Sequence, residues 1–427
     1  MSDRLMEALI PRTKQVNPYT NPRDPNEFQA RSYPVRIYSG QEALLSLPYE
    51  IKRQGIQRAL LLCGRSVHEK TALTQRITEL AGGRLVGIFP DISEGAPSEC
   101  IEKAANVARE LQADGLIGLG AGSVLKGVRV VAMLMAENQT LEQMATRHVE
   151  GQLPFSPRLL SPKRPIINVL TAPTTAQNRA GSALRHHGAV HQLEFFDPKT
   201  RPGAIFWDAG ALATAPISLM RTTGLEVYYL ALMGMGVVKQ CNPIVMPSRF
   251  QAWELARNAL PRVVDPQDSA ARLDLCAAAY LQNRDEDDGG QPLKTHLIAR
   301  ASYALSVAVF NQYQGVTQSH CYAALTGSSI RNFGDLCPDV VIALGSALGV
   351  QASIGDERLE HRVAAAADDA FRDLGWPVDL SAAGILTSDV ANLANFAIRN
   401  YNANSDGMLT PYADLLQKTL SDSLRMV

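Results

Sequence analysis

The sequence predicts an α/β domain built on a parallel sheet, followed by an all-α domain. Short apolar runs such as RALLLC (58–63) and GLIGLG (115–120) alternate with amphipathic helical segments in the first half of the chain. The strand signal fades after about residue 212, where segments rich in Ala, Leu and Met with helical spacing take over. A chain of 427 residues is also too long for one compact core, which favours two domains.

The elements of the first half follow one another at regular intervals. Strands are predicted for RLVGIF (84–89), IINVL (166–170) and AIFW (204–207), and a helix with one apolar face is predicted for SECIEKAANVARELQ (98–112). Because the strands are apolar throughout and are separated by helices, we expect a parallel sheet that is covered on both faces.

The domain boundaries follow from the same patterns. The first 34 residues are polar and rich in Pro and Asn, which predicts a surface arm. The α/β domain is then predicted at 35–212 and the helical domain at 213–427.

The composition excludes several classes of protein. There are 41 Lys and Arg against 42 Asp and Glu, so nothing favours nucleic acid or an anionic membrane as a partner. The six cysteines are scattered without a CxxC pair, which argues against a disulfide framework or a zinc motif. No signal-peptide core begins the chain, and no apolar run approaches the roughly 20 residues that span a bilayer. We expect a cytoplasmic location.

A glycine-rich turn, GLGAGSVLKGVR (118–129), directly follows a predicted strand and opens a helix. Gly120 and Gly122 allow the backbone to approach a ligand closely, and the amides of Ala121, Gly122 and Ser123 lie at the positive end of the helix. A pyrophosphate suits such a turn. The spacing differs from the Rossmann G-x-G-x-x-G pattern, and a tight turn without a ligand is the alternative.

A second loop, TAPTTAQNRAGSA (171–183), follows the strand IINVL and carries Thr174, Thr175 and Asn178 as candidate cofactor-binding residues. Ligands of open parallel sheets bind at the carboxyl ends of the strands. Two loops at two strand ends therefore predict a nucleotide site.

The residues after RALLLC indicate which nucleotide is bound. A site for NAD commonly has an acidic residue near the adenine ribose, whereas the 2′-phosphate of NADP requires a cation instead. Gly64, Arg65 and Ser66 suit NADP, with an ordinary surface arginine as the alternative.

The order of YSGQEALLSLP (38–48), RALLLCGRS, GAPSECIEKAANVARELQADGLIGLGAGS, APTTA and TGLE resembles the iron-containing (group III) alcohol dehydrogenase family. That family includes the maleylacetate reductases and is related to dehydroquinate synthase. The resemblance covers roughly residues 35 to 350. It implies a dehydroquinate synthase-like fold, an α/β domain that binds NAD or NADP, an active site in the cleft to a helical domain, a homodimer, and a small alcohol or carbonyl substrate.

The family binds a metal through one aspartate and three histidines of the helical domain. The resemblance places these ligands at Glu226, Leu230, Tyr303 and His320. Leucine has no donor atom, and a neutral tyrosine is a poor ligand for Zn²⁺ or Fe²⁺. We therefore expect no tightly bound metal, with Glu226 and His320 as the residual family positions.

The cofactor loops also depart from the family pattern. In the glycine-rich turn, Lys126 replaces an acidic residue and Arg129 replaces a lysine. In the second loop, Gln177, Asn178 and Arg179 stand where small residues normally face the nicotinamide and the phosphates. This bulk and charge should reshape the pocket, and the arginine is suited to grip a carboxylate or phosphate.

Without a metal, another group must donate a proton and stabilise the substrate oxygen. The candidate catalytic residues are His320, Tyr303 and Glu226. Tyr228 and Tyr229 are nearby in sequence, and ordinary helix packing is the alternative for both.

Four further histidines have less specific patterns. His186, His187 and His191 lie together in RHHGAVHQ (185–192), where a solvated surface hairpin is preferred to a metal site. His296 is either a displaced ligand or, as we prefer, a histidine on a helix surface.

Three functions are compatible with these features. The first is an NAD(P)-dependent oxidoreductase that interconverts an alcohol and an aldehyde or ketone, prefers NADP and lacks the usual metal. The second is a lyase, cyclase or isomerase on the same scaffold. The third is a non-catalytic or regulatory nucleotide-binding homologue.

Overall fold

The structure is a computed structural model that describes residues 25–147, 149, 155–186, 192–290, 296–313, 315–351 and 355–424. The strands are β1 (Arg36–Gly40), β2 (Ala59–Cys63), β3 (Leu85–Phe89), β4 (Gly115–Gly120), β5 (Ile166–Leu170), β6 (Gly181–Leu184), β7 (Leu193–Phe196) and β8 (Ala204–Asp208). The first helices are α1 (Leu47–Arg53), α2 (Arg65–Lys70), α3 (Leu73–Ala81), α4 (Ser98–Glu110), α5 (Gly122–Ala136) and α6 (Leu141–Met144). The later helices are α7 (Ala209–Ala213), α8 (Ile217–Met235), α9 (Val245–Ala259), α10 (Ser269–Asp287), α11 (Leu297–Gln312), α12 (Gln318–Phe333), α13 (Pro338–Ala347), α14 (Leu359–Asp373), α15 (Val390–Ile398), α16 (Tyr401–Asn404) and α17 (Ala413–Ser423).

Six strands form one parallel sheet in the order β1-β8-β5-β4-β2-β3, which confirms the predicted parallel sheet. Strands β6 and β7 form a separate antiparallel hairpin. The chain steps outward from β2 to β3 and returns to β4 on the other side of β2. A crevice therefore opens between the carboxyl ends of β2 and β4, where ligands of such sheets bind.

The sheet is covered on both faces because its central strands are apolar on both sides. Leu60, Leu62 and Leu116 pack with residues of α4 and α5 on one face. Leu61 and Ile117 pack with residues of α1 and α3 on the other. Successive side chains of a strand point to opposite faces, so a continuously apolar strand requires two covering layers.

The helical half begins where β8 ends. The Asp208 carboxylate accepts a hydrogen bond from the Ala211 amide at 3.0 Å and caps α7. Ile205 and Trp207 of β8 belong to the same buried cluster as residues of α8 and the later helices, so one core connects sheet and helices. None of the described helices has the length and apolarity needed to cross a membrane.

Candidate functional site

The glycine-rich turn joins β4 to α5 at the carboxyl edge of the sheet. Helix α5 begins at Gly122 with Ala121 as its N-cap, and its first turn, which includes Ser123, carries no acidic side chain. A Cβ added to Gly120 would clash at 2.7 Å with a side chain of α5, and one added to Gly122 would lie 3.5 Å from the Thr174 hydroxyl oxygen. The two predicted cofactor loops therefore meet, and the helix amides are suited to an anion between them.

The loop after β3 closes the turn from one side. The Gly95 amide donates to Ser123 Oγ at 3.1 Å, and the Gly95 carbonyl accepts from the Arg185 amide at 3.0 Å. Ser123 therefore accepts one bond and keeps its own hydroxyl hydrogen for a ligand. A Cβ on Gly95 would lie 3.2 Å from the Arg185 guanidinium, so the arginine crosses the loop because glycine is there. No local sequence pattern marks Gly95 or Arg185 as part of the site.

The third predicted loop lies at the end of β2. Arg65 Nε and Nη2 both donate to Asp91 Oδ1, at 3.1 and 2.5 Å. Gly64 packs closely on the chain that leads to Asp91, because a Cβ there would lie 3.1 Å from the Ile92 carbonyl oxygen. Ser66 is exposed beside the arginine. The cation expected to meet a 2′-phosphate is thus already paired with a carboxylate, which the sequence analysis did not anticipate.

The second loop is attached to its surroundings through Gln177. This side chain is fully buried, its Nε2 donates to the Cys276 carbonyl of α10 at 2.8 Å, and its Oε1 accepts from Trp207 Nε1 at 2.8 Å. Gln177 was expected to face the nicotinamide. It does not, because its amide is used to tie the loop to β8 and α10.

Asn283 of α10 holds the rest of the same loop. Its Nδ2 donates to the Thr175 carbonyl at 2.8 Å and to Asn178 Oδ1 at 2.5 Å, and its Oδ1 accepts from Arg179 Nε at 2.7 Å. The Asn178 side chain is consequently buried against α10. Sequence reasoning missed Asn283, since nothing marks one asparagine in a polar helix end as the partner of a loop about a hundred residues earlier.

Lys126 of α5, Arg179 and Glu226 of α8 form a charged cluster between the two halves. Burial raises the pKa of Glu226, and the positive charges of Lys126 and Arg179 oppose that rise. Burial lowers the pKa of Lys126, which the Glu226 charge opposes. Within the described residues, no ion pair shorter than 4.0 Å joins Glu226 to either cation. The three charges therefore act on one another without a direct ion pair to Glu226.

Arg129 of α5 lies next to this cluster, but its hydrogen bonds give it a structural role. It is fully buried, its Nε donates to Ser182 Oγ at 2.9 Å and its Nη1 donates to the Ala176 carbonyl at 2.6 Å. Burial, with the nearby positive charges of Arg179 and Arg201, lowers its pKa to about 9. Arg129 thus supports the second loop and the β6–β7 hairpin from below.

Three stacked tyrosines border the charged cluster. The rings of Tyr229 and Tyr322 are parallel at 3.9 Å between centroids, and Tyr303 lies 6.2 Å beyond Tyr322. Burial raises the pKa of Tyr303, while the Arg179 charge opposes the rise and Glu226 adds to it. The Tyr303 hydroxyl accepts from Asn402 Nδ2 at 3.4 Å. Tyr303 is therefore within electrostatic range of Arg179 and Glu226, and its phenol stays protonated at neutral pH.

The two tyrosines of α8, Tyr228 and Tyr229, have packing roles. Tyr229 is fully buried and its hydroxyl lies 2.7 Å from Ser302 Oγ. Tyr228 packs on Trp253 and Phe371, with ring centroids at 5.0 and 5.8 Å, and burial raises its pKa to about 12. Both match the packing alternative given above for these residues.

The positions that the resemblance assigns to metal ligands lie in different surroundings. Leu230 lines a cavity next to Arg179. His320 lies apart from the charged cluster, with its Nε2 2.8 Å from the Asp379 carbonyl oxygen. Its neighbours on α12, Gln318 and Tyr322, bond to each other on another side of the helix. Across the described part of the chain, no three His, Cys, Asp or Glu side chains are grouped to hold a metal ion.

The remaining histidines have structural partners where they are described. His296 is fully buried rather than on a helix surface: its Nδ1 accepts from the Ala299 amide at 3.1 Å, and its Nε2 lies 3.0 Å from the Met233 carbonyl. Burial lowers its pKa to about 4. His186 Nδ1 lies 2.9 Å from Ser98 Oγ. His187 and His191 lie outside the described residues.

A small cavity of about 20 Å³ lies between α8, α9 and α10. Arg179 lines it, and Arg249 and Asp285 form a buried ion pair in its wall. Leu230 and Ala231 supply apolar surface. A volume of this size holds about one water molecule beside Arg179.

Comparison with known proteins confirms the resemblance recognised from the sequence. The family model for iron-containing alcohol dehydrogenase matches residues 34–209, which span the α/β half. Maleylacetate reductase 2 of Cupriavidus pinatubonensis (strain JMP 134 / LMG 1197) is 27% identical over 60% of this chain and 63% of that protein, a little under two thirds of its length. Maleylacetate reductase of Rhizobium sp. (strain MTP-10005) is 24% identical over 87% of this chain and 92% of that protein.

Solved structures extend the likeness to nearly the whole fold. The sulfoacetaldehyde reductase of Bifidobacterium kashiwanohense, solved in complex with NAD⁺, superposes with a TM-score of 0.75 at 18% identity. The superposition covers 93% of this chain and 99% of that one. The predicted combination of an α/β domain with a parallel sheet and a helical domain is therefore confirmed at the level of fold.

Proposed function

We propose that this chain, which resembles the iron-containing alcohol dehydrogenases, is an NAD(P)-dependent oxidoreductase that interconverts an alcohol and an aldehyde or ketone. One observation carries the proposal. Helix α5 begins at the glycine-rich turn and, four residues and about 6 Å later, presents Lys126 towards Glu226. A nucleotide bound at the turn would therefore have its reactive end next to the charged cluster.

The residues at the strand ends fit a dinucleotide. The cleft is lined by Gly120 to Ser123, by Thr174 and by Gly64, and the two loops meet where Gly122 lies beside the Thr174 hydroxyl. We propose that these residues hold the pyrophosphate and the adenine ribose. A bound nicotinamide would supply or accept the hydride.

The preference for NADP is also a proposal. The absence of an acidic residue at Gly64 favours it, and the pairing of Arg65 with Asp91 opposes it. We propose that a 2′-phosphate competes with Asp91 for the Arg65 guanidinium, so that NADP is bound in preference to NAD but by a modest factor.

The metal of the family does not fit the residues at this site. Leu230 offers no donor atom, and His320 is bonded away from Glu226. We propose a metal-independent reaction in which Tyr303 is the proton donor to the substrate oxygen in the direction of reduction. His320 remains a second predicted proton donor, which would require release of its Asp379 contact.

Glu226 has a separate role in this proposal. A half-buried carboxylate between two cations fixes the charge balance of the cleft when the cofactor is bound. It orients Lys126 and keeps the substrate carbonyl apart from a second cation. The predicted homodimer and cytoplasmic location accompany this proposal as expectations from the resemblance.

A non-catalytic nucleotide-binding role is the second candidate, and the replaced ligand positions favour it. The test uses purified protein, NADPH and NADH, and a panel of aldehydes and ketones. Oxidation of the cofactor in equal amount to the alcohol formed supports the oxidoreductase. Cofactor binding without turnover would favour the non-catalytic role, and product formation without net cofactor change would favour a lyase, cyclase or isomerase.

A further inference from the structure

The cleft requires a positive group for the substrate oxygen, and four cations lie near it. When hydride reaches a carbonyl carbon, the electron pair of the C=O bond moves to the oxygen, which becomes an alkoxide before it is protonated. A fixed positive group at that oxygen lowers the barrier because the charge appears only in the transition state and product. The chain's own residues must provide this group if no metal does.

Two of the four cations are already used. Arg129 has donors bonded to Ser182 and to a carbonyl and is fully buried, and Arg249 is ion-paired with Asp285. Lys126 influences the Glu226 carboxylate, but among the described residues it is not one of those that line the cavity beside Leu230. Arg179 acts on both Glu226 and Tyr303 and also lines the cavity with Leu230.

Arg179 lines a cavity with Leu230, and its charge acts on Glu226 and Tyr303, so it is coupled to three of the four positions that the resemblance assigns to metal ligands. Glu226, Tyr303 and Leu230 come from two different helices, α8 and α11, and Arg179 enters from the opposite half of the molecule. Its placement follows from the second loop, which Gln177 and Asn283 tie to α10. A loop with small residues at this point would leave the space empty.

The orientation of the guanidinium is fixed from behind. Nε donates to Asn283 Oδ1 at 2.7 Å, and neither Nη1 nor Nη2 bonds to another of the residues that the structure describes. The planar fork therefore presents its remaining N–H donors to the cleft, in a direction set by Asn283. Such preorganised donors contribute more than mobile ones because they need no reorganisation during the reaction.

We propose that Arg179 is the electrophilic residue of this site: its Nη hydrogens bind the substrate oxygen and stabilise the alkoxide, and Asn283 is the residue that positions it. This rests on the proposed oxidoreductase function and adds to it the group that replaces the metal.

The step balances with the groups named. In reduction, hydride from the reduced nicotinamide forms the C–H bond at the carbonyl carbon, and the π electron pair becomes an oxygen lone pair held by Arg179. Tyr303 then donates its phenolic proton to that oxygen and regains one from solvent. The products are the alcohol and the oxidised cofactor. Arg179 donates hydrogen bonds and takes no part in the proton transfer.

The test compares Arg179→Ala with the wild-type protein and with Arg372→Ala, a control that removes an exposed arginine of α14 paired with Asp369. Uncharged aldehydes are used as substrates, so that grip on a carboxylate plays no part. We expect kcat to fall by roughly 10²- to 10³-fold in Arg179→Ala with little change in cofactor affinity. We expect millimolar methylguanidinium to restore part of the rate in that variant and to leave the control unchanged.

A second measurement is independent of turnover. Trifluoroethanol, whose alkoxide forms easily, is titrated into the protein–NADP⁺ complex. We expect at least roughly tenfold weaker binding in Arg179→Ala than in the wild type or in Arg372→Ala. If the wild type shows no turnover but this binding depends on Arg179, the oxidoreductase proposal fails while the arginine retains its assigned role.

Two results would overturn the inference. In the first, the wild type turns over and Arg179→Ala keeps its kcat, or shows only a higher KM for charged substrates. Methylguanidinium then does not increase the rate of the variant. In the second, neither turnover nor Arg179-dependent binding is found, and both proposals fail together. Asn283→Ala separates position from charge: a lower kcat with unchanged KM, and no rescue by methylguanidinium, is the expected pattern for a residue that acts through Arg179.

Discussion

Arg179 and Asn283 are joined by a 2.7 Å hydrogen bond from the guanidinium Nε to the amide Oδ1, which connects a loop of the α/β half to a helix of the other half. The same asparagine donates to the Thr175 carbonyl and to Asn178. The second cofactor loop and α10 are therefore held together at the point where the cleft is charged.

Replacing Asn283 by alanine should weaken this connection. Three partners lose their bond, and the Asn178 side chain among them is buried, so we expect the free energy of unfolding to fall by about 1–3 kcal/mol in urea titrations. Asn106→Ala, which changes an exposed asparagine of α4, is the matched control and should keep its stability within about 0.5 kcal/mol. Equal stability of Asn283→Ala and the wild type would show that the loop does not depend on this side chain.

Tyr303→Phe should identify the proton donor. The change removes only the hydroxyl, whose hydrogen bond is a long contact with Asn402, and we expect kcat to fall by roughly 10²-fold with the fold intact. His320→Gln, which preserves a donor for the Asp379 carbonyl, should have a much smaller effect on kcat. The larger loss in His320→Gln would instead assign the proton to the histidine.

Asp91→Asn should change the cofactor preference. The substitution removes the carboxylate that pairs with Arg65, so the guanidinium becomes available to a 2′-phosphate. We expect the Kd of NADPH to decrease by up to about fivefold and that of NADH to stay constant, measured by fluorescence titration. Arg65→Ala is expected to reverse the effect. A parallel change for both nucleotides would mean that Arg65 does not contact the 2′-phosphate.

Metal removal should leave the activity unchanged. Leu230 and the bonded His320 leave too few donors near Glu226, so elemental analysis should give well under one iron or zinc per chain. Incubation with EDTA should not reduce turnover, and added Zn²⁺ or Fe²⁺ should not increase it. One metal per chain whose removal abolishes activity would contradict this prediction and return the reaction to the metal-dependent type.

His296 should make stability depend on pH. Its pKa is about 4 in the folded chain against an ordinary value of 6.5, so the unfolded chain binds more protons between these values. Stability is therefore complete above pH 6.5 and is lost as pH falls towards 4, with a slope approaching roughly 1 kcal/mol per pH unit. Urea titrations from pH 7.5 downward should show this slope, and His296→Ala should be less stable with a flatter profile.

An exposed histidine provides the control for that measurement. His361 of α14 is 59% exposed, and His361→Gln should leave both the stability and its pH profile unchanged. A flat wild-type profile between pH 7 and 5 would show that His296 is not the titrating group.

Local patterns were sufficient for the sheet and for the glycine-rich turn. The runs at β2, β4 and β5 are apolar at every position, and an apolar strand between amphipathic helices has few alternatives to a buried parallel sheet. Strand β1 was not assigned, because it is short and mostly half-exposed and has no continuous apolar run. Its place beside β8 depends on pairing across a separation of about 170 residues.

The side chains of the cleft were harder to predict. Gln177, Asn178 and Arg179 are consecutive polar residues, and their sequence predicts only that the loop departs from its relatives. In the structure one is buried against β8 and α10, the next bonds to Asn283, and the third alone presents its donors to the cleft. Each direction is set by a partner on another element, so no local pattern contains it.

The sequence by itself determined the fold class, the position of the glycine-rich turn and the lack of a donor atom at Leu230, because each of these depends on residue type and on neighbours in the chain. Tertiary structure decided which charges meet. Lys126, Arg179 and Glu226 come from three separated segments, and their energies depend on distance and burial. The physical reason is that side-chain electrostatics acts through space, whereas strand and helix patterns act along the chain.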